Sequence, residues 1–135
     1  MRVLSNMKRR RVKVLGIIPA RGGSKSIPHK NIAPIAGKPL IYYTIREAKK
    51  SNLLDALIVS TDDPEIAEVA KSFGADAPFL RPSKFARDNS PDIEFMRHAL
   101  DWVKKNRGWE PEILVNLRPT SPLRTAADID RVIET

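Results

Sequence analysis

The stretch Leu15-Gly-Ile-Ile-Pro-Ala-Arg-Gly-Gly-Ser-Lys-Ser-Ile-Pro-His-Lys-Asn31 joins an apolar run to a cationic loop that carries two glycines. Val12 to Ile18 reads as a β-strand buried on both faces, the kind found at the centre of a parallel sheet. Pro19 ends it. The loop then presents Arg21, Gly22, Gly23, Lys25, His29 and Lys30. Glycines let backbone N–H groups approach phosphate oxygens, and cations balance the charge, so the junction suits a polyanion such as a nucleoside triphosphate. From Pro19 to Gly37 the loop is about 19 residues long, and loops of that size inside compact domains are usually functional. Pro19, Pro28 and Pro34 stiffen it, which lowers the entropy lost when a ligand binds.

Working outward, Pro39 fits the first position of a helix, with Ile41, Ile45 and Ala48 on one stripe to about Ser51 and Asn52 as its C-terminal cap. Ala56 to Ser60 reads as a second buried strand. Asp62 or Asp63 can cap the next helix, which Pro64 starts and Gly74 ends, with Ile66, Val69, Ala70 and Phe73 on its apolar side. Ala77 to Leu80 fits a short edge strand, where Pro78 is tolerated. Ser90-Pro91 opens a helix with Ile93, Met96, Leu100 and Val103 on one face and Gly108 past its end. Glu112 to Leu117 is a third buried strand, followed by Arg118-Pro-Thr-Ser-Pro-Leu-Arg124. Thr125 with Asp128 makes a capping box for a last helix bearing Ile129, Val132 and Ile133.

Strands and helices thus alternate, which predicts a three-layer α/β/α domain with a mostly parallel sheet. Right-handed crossovers place the loops that follow the strands along one edge, where open α/β sheets bind their ligands. Those loops carry Arg21, Lys25 and Lys30, then Asp62 and Asp63, then Arg118 and Arg124. The last helix reaches Thr135 without a stop signal, so residues 12–135 are expected to be the N-terminal part of a longer domain.

The 135 residues suffice for one compact domain. No apolar run approaches the roughly 18 residues of a membrane span. The basic N-terminus lacks the apolar stretch of a secretory signal, and the cytoplasm is the default compartment. Cysteine is absent, which excludes disulfides and thiolate metal sites. The net charge of +8 raises the possibility of nucleic acid, yet five of the 24 basic residues fall in Arg2 and Lys8 to Arg11, a run that reads as a disordered tail over residues 1–11. No helix carries a cationic stripe with interleaved aromatics, which favours a small phosphorylated ligand over nucleic acid.

The loop is neither a Walker A motif, since Ser24 precedes Lys25, nor Gly-x-Gly-x-x-Gly. The whole string from Pro19 to Lys25, with Lys30-Asn31, resembles the signature of the acylneuraminate cytidylyltransferases, the CMP-sialic acid synthetases. The resemblance continues through Ala36-Gly-Lys-Pro-Leu40, Val59-Ser-Thr-Asp-Asp63, Phe79-Leu-Arg-Pro82 and Arg118-Pro-Thr-Ser-Pro-Leu-Arg124. It implies a Rossmann-like, nucleotide-diphospho-sugar transferase-like fold. It also implies attack by the anomeric hydroxyl of an acidic nine-carbon sugar on the α-phosphate of CTP, with Mg2+ assisting the departure of pyrophosphate. By that resemblance Arg21, Lys25 and Lys30 are the catalytic triphosphate cations. Ala20, Gly22, Gly23 and Ser24 join them around the nucleotide, with Asn31 and Arg81 as nucleoside contacts. Arg118, Thr120 and Ser121 fall in the sugar-side loop. The family's acidic metal ligands would lie beyond Thr135, and a homodimer is implied for the full-length protein.

Two positions depart from the pattern. Arg118 stands where many sialic acid enzymes have glutamine, which argues against N-acetylneuraminate itself while keeping an acidic sugar, because arginine pairs bidentately with a carboxylate. Asp92 stands where a ribose-contacting serine would fall. Three readings remain beside the main one: a transferase for another sugar of the legionaminate or pseudaminate type or another nucleotide, a nucleotide-binding module without turnover, and a basic nucleic-acid binder. Asp62 and Asp63 read as helix caps rather than metal ligands, and His98, Trp102 and Trp109 as packing residues.

Overall fold

The computed structural model describes residues 13–21, 34–35, 38–86, 91–118 and 126–134. Three parallel strands make the main sheet. β1 (Val14–Pro19) lies at the centre, and β4 (Ala56–Ser60) and β5 (Ile113–Asn116) flank it. Two short strands, β2 (Pro34–Ile35) and β3 (Lys38–Pro39), form a separate antiparallel pair within the expected loop. Four helices complete the domain: α1 (Leu40–Lys49), α2 (Pro64–Ser72), α3 (Asp92–Asn106) and α4 (Ala126–Glu134).

Side chains alternate across a strand, and here the alternation sorts the core into two halves. Val14 and Ile18 of β1, Val59 of β4 and Val115 of β5 pack with Ile41 and Ile45 of α1, Ile66 and Ala70 of α2 and Ile129 of α4. Leu15 and Ile17 of β1 with Ile58 of β4 pack on the other face against Phe95, Ala99 and Val103 of α3. The molecule is therefore a three-layer α/β/α arrangement, as the sequence predicts. Gly16 faces the first half. A Cβ there would approach the side chains of Leu54 and Leu117 to 3.2 Å, so a residue without a side chain lets both leucines close over the central strand.

The helix signals hold at several places. Asp63 caps α2, its Oδ1 accepting the N–H of Glu65 at 2.8 Å. Gly74 and Gly108 follow α2 and α3 with φ of 88° and 72°, the left-handed region that glycine enters without strain. Three expectations need correction. Pro39 ends β3, and α1 begins at Leu40. Asn52 does not cap α1; its N–H donates to Asp130 Oδ2 at 3.1 Å. The edge beside β4 is a single parallel bridge between Ile58 and Asp76, not a strand over Ala77 to Leu80, and Pro78 has no N–H with which to continue it. Thr125 lies outside the described residues, as does the basic run before Lys13.

Two carboxylates fasten α4 to α1. Glu47 Oε1 accepts the N–H of Ala126 at 3.0 Å, and its Oε2 meets Arg46 Nε at 3.0 Å and Lys50 Nζ at 3.4 Å. Asp130 accepts a short bond from the Ser51 hydroxyl in addition to the Asn52 N–H. Burial works to raise the Glu47 pKa, but the Ala126 N–H and the two cations outweigh it and hold it below the ordinary value. The Ser51 bond does the same for Asp130.

Candidate active site

All three main strands run in one direction, and the chain leaves β1 first for β4 on one side and later for β5 on the other. That reversal makes the carboxyl ends of β1 and β5 the topological switch point, the usual ligand position in such sheets. Ala20 and Arg21 follow β1 at this edge, and Leu117 and Arg118 follow β5. Ala20 is fully buried and donates its N–H to Ser60 O at 3.0 Å, so that group serves the sheet. Arg21 is half-buried.

Arg81 is the most deeply placed cation among the described residues, only 4% exposed. Its backbone N–H bonds Thr61 O at 2.6 Å. Its guanidinium donates from Nε to Ser60 Oγ at 3.0 Å, from Nη2 to Ser60 O at 2.7 Å and from Nη1 to Phe85 O at 3.2 Å. The ring of Phe95 lies beneath it, 4.8 Å from the guanidinium carbon. Burial pulls its pKa down to about 10, with Asp62 opposing, Arg21 reinforcing and Asp92 opposing that shift. Arg81 thus remains charged at neutral pH. The same electrostatics bring Arg21, Asp62, Arg81 and Asp92 into one neighbourhood.

Asp92, the first residue of α3, stands out in the sequence only as a departure from the family pattern. In the structure its Oδ2 accepts Asn116 Nδ2 at 3.0 Å and a short bond from Arg118 Nη2. The two departing positions, 92 and 118, are partners. Period two along the third strand was the available signal. Leu114 faces α3, so Asn116 and Arg118 follow on that side, where α3 begins. Asn116 Oδ1 is buried and has no hydrogen-bond partner. His98 packs edge-on against Phe79 at 4.6 Å and near Phe85, with Nδ1 buried and unpaired; burial, reinforced by Arg81, lowers its pKa. Gly22, Gly23, Ser24, Lys25, Lys30, Asn31, Thr120 and Ser121 lie outside the described residues. Among the described residues, no three histidine or carboxylate side chains cluster in a way that could hold a metal ion. No described helix is long and apolar enough to cross a membrane.

A family profile described as cytidylyltransferase matches residues 15–135. The chain belongs to the cytidylyltransferase family. Among curated members, the N-acylneuraminate cytidylyltransferase of Escherichia coli O18:K1:H7 is 38% identical over 92% of this chain and 28% of its own length. The pseudaminic acid cytidylyltransferase of Campylobacter jejuni is 47% identical over 67% of this chain and 39% of its own. The solved structure of CMP:2-keto-3-deoxy-manno-octonic acid synthetase complexed with CTP superposes with a TM-score of 0.73 at 26% identity, covering 90% of this chain and 46% of that one. The chain therefore spans less than half the length of each of these cytidylyltransferase relatives.

Proposed function

We propose that this chain is the nucleotide-binding part of a cytidylyltransferase that transfers CMP from CTP to an acidic nine-carbon sugar. The anomeric oxygen forms a bond to the α-phosphorus, the bond from that phosphorus to the pyrophosphate oxygen breaks, and the hydroxyl proton is lost. Such chemistry depends on positioning and charge neutralisation, with no covalent enzyme intermediate. The observation that carries the reading is the convergence of Arg21, Arg81 and Arg118 on the switch-point edge of a chain matched by the family profile from residue 15.

In this reading Arg21, Lys25 and Lys30 neutralise the triphosphate, and Gly22, Gly23 and Ser24 offer it backbone N–H groups. Asn31 and Arg81 serve the nucleoside side, with Arg81 braced by Ser60. Arg118, Thr120 and Ser121 face the sugar. A divalent cation, Mg2+ by the resemblance, would supply Lewis-acid assistance to the leaving pyrophosphate. The described residues do not fit it by themselves, because Asp63 caps α2 and no three-ligand cluster forms. We infer that its ligands, and the segment that forms a homodimer, belong to the family's further length. The cytoplasm, which supplies CTP, is the proposed location.

The reading is tested by thermal shift and by turnover. CTP with Mg2+ should raise the melting temperature more than ATP, GTP or UTP; equal shifts would remove the cytidine assignment. Lys25→Ala and Lys30→Ala should each weaken CTP binding by about tenfold or more, the scale of losing a charge-assisted phosphate contact. Deleting residues 1–10 should leave CTP affinity unchanged, and abolition would favour the nucleic-acid reading. The full-length protein should release pyrophosphate from CTP with a nonulosonic acid. A second reading is a binding module without turnover, and absence of release in that assay would leave it standing.

A further inference from the structure

Asp92 and Arg118 are 26 residues apart in sequence and meet at the carboxyl edge of the sheet, on the side of β5 that faces α3. Their side chains are 42% and 52% exposed, and an ion pair that open contributes little to stability. It does fix geometry. An arginine at the end of a strand explores many rotamers, and Asp92 restrains this one through a single nitrogen, Nη2. Among the described residues no other carboxylate pairs with Arg118, so the remainder of its five-donor fork is left for another acceptor. The same Asp92 oxygen takes the amide of Asn116, whose Oδ1 is left buried and unpaired. A polar atom left in that state is costly for a purely structural brace, and each such exception calls for an explanation.

The names of all three relatives specify acids: an N-acylneuraminate, pseudaminic acid and 2-keto-3-deoxy-manno-octonic acid. The chemistry they share is a carboxylate, and a guanidinium is the side chain best shaped to receive one through two parallel bonds. We propose that Asp92 is a positioning residue for the sugar: it holds Arg118 so that the free part of the guanidinium receives the sugar carboxylate. The pair, rather than Arg118 alone, then determines specificity for an acid over a neutral sugar. This inference rests on the cytidylyltransferase reading above.

The test measures KM and kcat in the full-length protein for a nonulosonic acid and for its methyl ester, the ester as substrate or competitive inhibitor. Asp92→Asn should raise KM for the acid about tenfold, with kcat, the KM for CTP and the value for the ester nearly unchanged, the pattern of lost ground-state binding. Asp92→Glu should recover most of the loss. Arg118→Gln and the double variant Asp92→Asn/Arg118→Gln should match each other, because Asp92 acts only through Arg118. Additive effects in the double variant overturn the proposal. So does a lower KM for the acid in Asp92→Asn, which would make Asp92 a competitor of the carboxylate. An active wild type with an indifferent Asp92→Asn overturns this proposal alone. A wild type that releases no pyrophosphate with any acid overturns the cytidylyltransferase reading and this proposal with it.

Discussion

Arg81 and Arg118 stand on the same edge of the sheet and share the field of Asp92, yet the fold treats them in opposite ways. Arg81 donates three hydrogen bonds to Ser60 and Phe85 and lies on Phe95, and burial draws its pKa down to about 10. Arg118 is half exposed and held by one carboxylate. The first is a brace that ties the segment after α2 to the end of β4. Among the described residues the second is restrained at one corner only. Two identical side chains in one cluster are therefore held differently: one ties the edge together, and the other is the reader of the sugar only in the proposal made above.

The comparison breaks most visibly at Arg81. Replacing it with methionine should destabilise the domain by about 3 kcal/mol, the scale of removing several hydrogen bonds from buried partners. Denaturant unfolding checks this, and a loss below about 1 kcal/mol would show that the brace is idle. Arg81→Lys should not recover the loss, since one ammonium cannot reach both Ser60 and Phe85. Next in size is Glu47→Gln on the opposite side of the sheet, where the carboxylate caps α4 from α1. A loss of about 1 kcal/mol is expected, the ordinary worth of a helix N-terminal cap. At the small end, Arg118→Gln should move stability by less than about 0.5 kcal/mol, as exposed ion pairs do. If Arg118→Gln proved as damaging as Arg81→Met, the distinction between brace and reader would collapse.

Acid titration sharpens the same contrast. Glu47 and Asp130 have folded pKa values below their ordinary 4.5 and 3.8, so their contribution is complete above those values and is lost as pH falls through the folded ones. His98, a base whose pKa is lowered from 6.5, adds a loss that begins as pH drops below 6.5, where the unfolded chain takes up the proton first. Arg81 is charged throughout and adds no slope below pH 9. The melting temperature should be flat from pH 7 to 9, decline gently below about 6.5 and steeply below about 4.5. Glu47→Gln should flatten the steep limb, and circular dichroism melts across that range decide it.

Much of the fold was legible because its signals are local. The apolar runs at Leu15, Ala56 and Ile113, the Asp63-Pro64 cap and the glycines at 74 and 108 each announce an element from within a few residues. The corrections come where a local signal competes with tertiary pairing. Pro39 suits a helix start, but it pairs with Pro34 and closes β3. Asn52 suits a cap, but Asp130, 78 residues on, takes its N–H. The site was legible as a set of loops on one edge. That Arg81 would be braced by Ser60, and that Asp92 would hold Arg118, depends on strand register and on where α3 begins, which no local pattern encodes.

The central position of β1 has a consequence for biosynthesis. It is synthesised before either of its two sheet partners, is apolar on both faces, and one of those partners is encoded about 100 residues later, with Val14 aligned to Ile113. At translation speeds of roughly 5–20 residues per second, the nascent strand waits about 5–20 seconds with one edge open. Leu15, Ile17 and Ile18 are then apolar residues that a chaperone, or a neighbouring nascent chain, can meet during that interval.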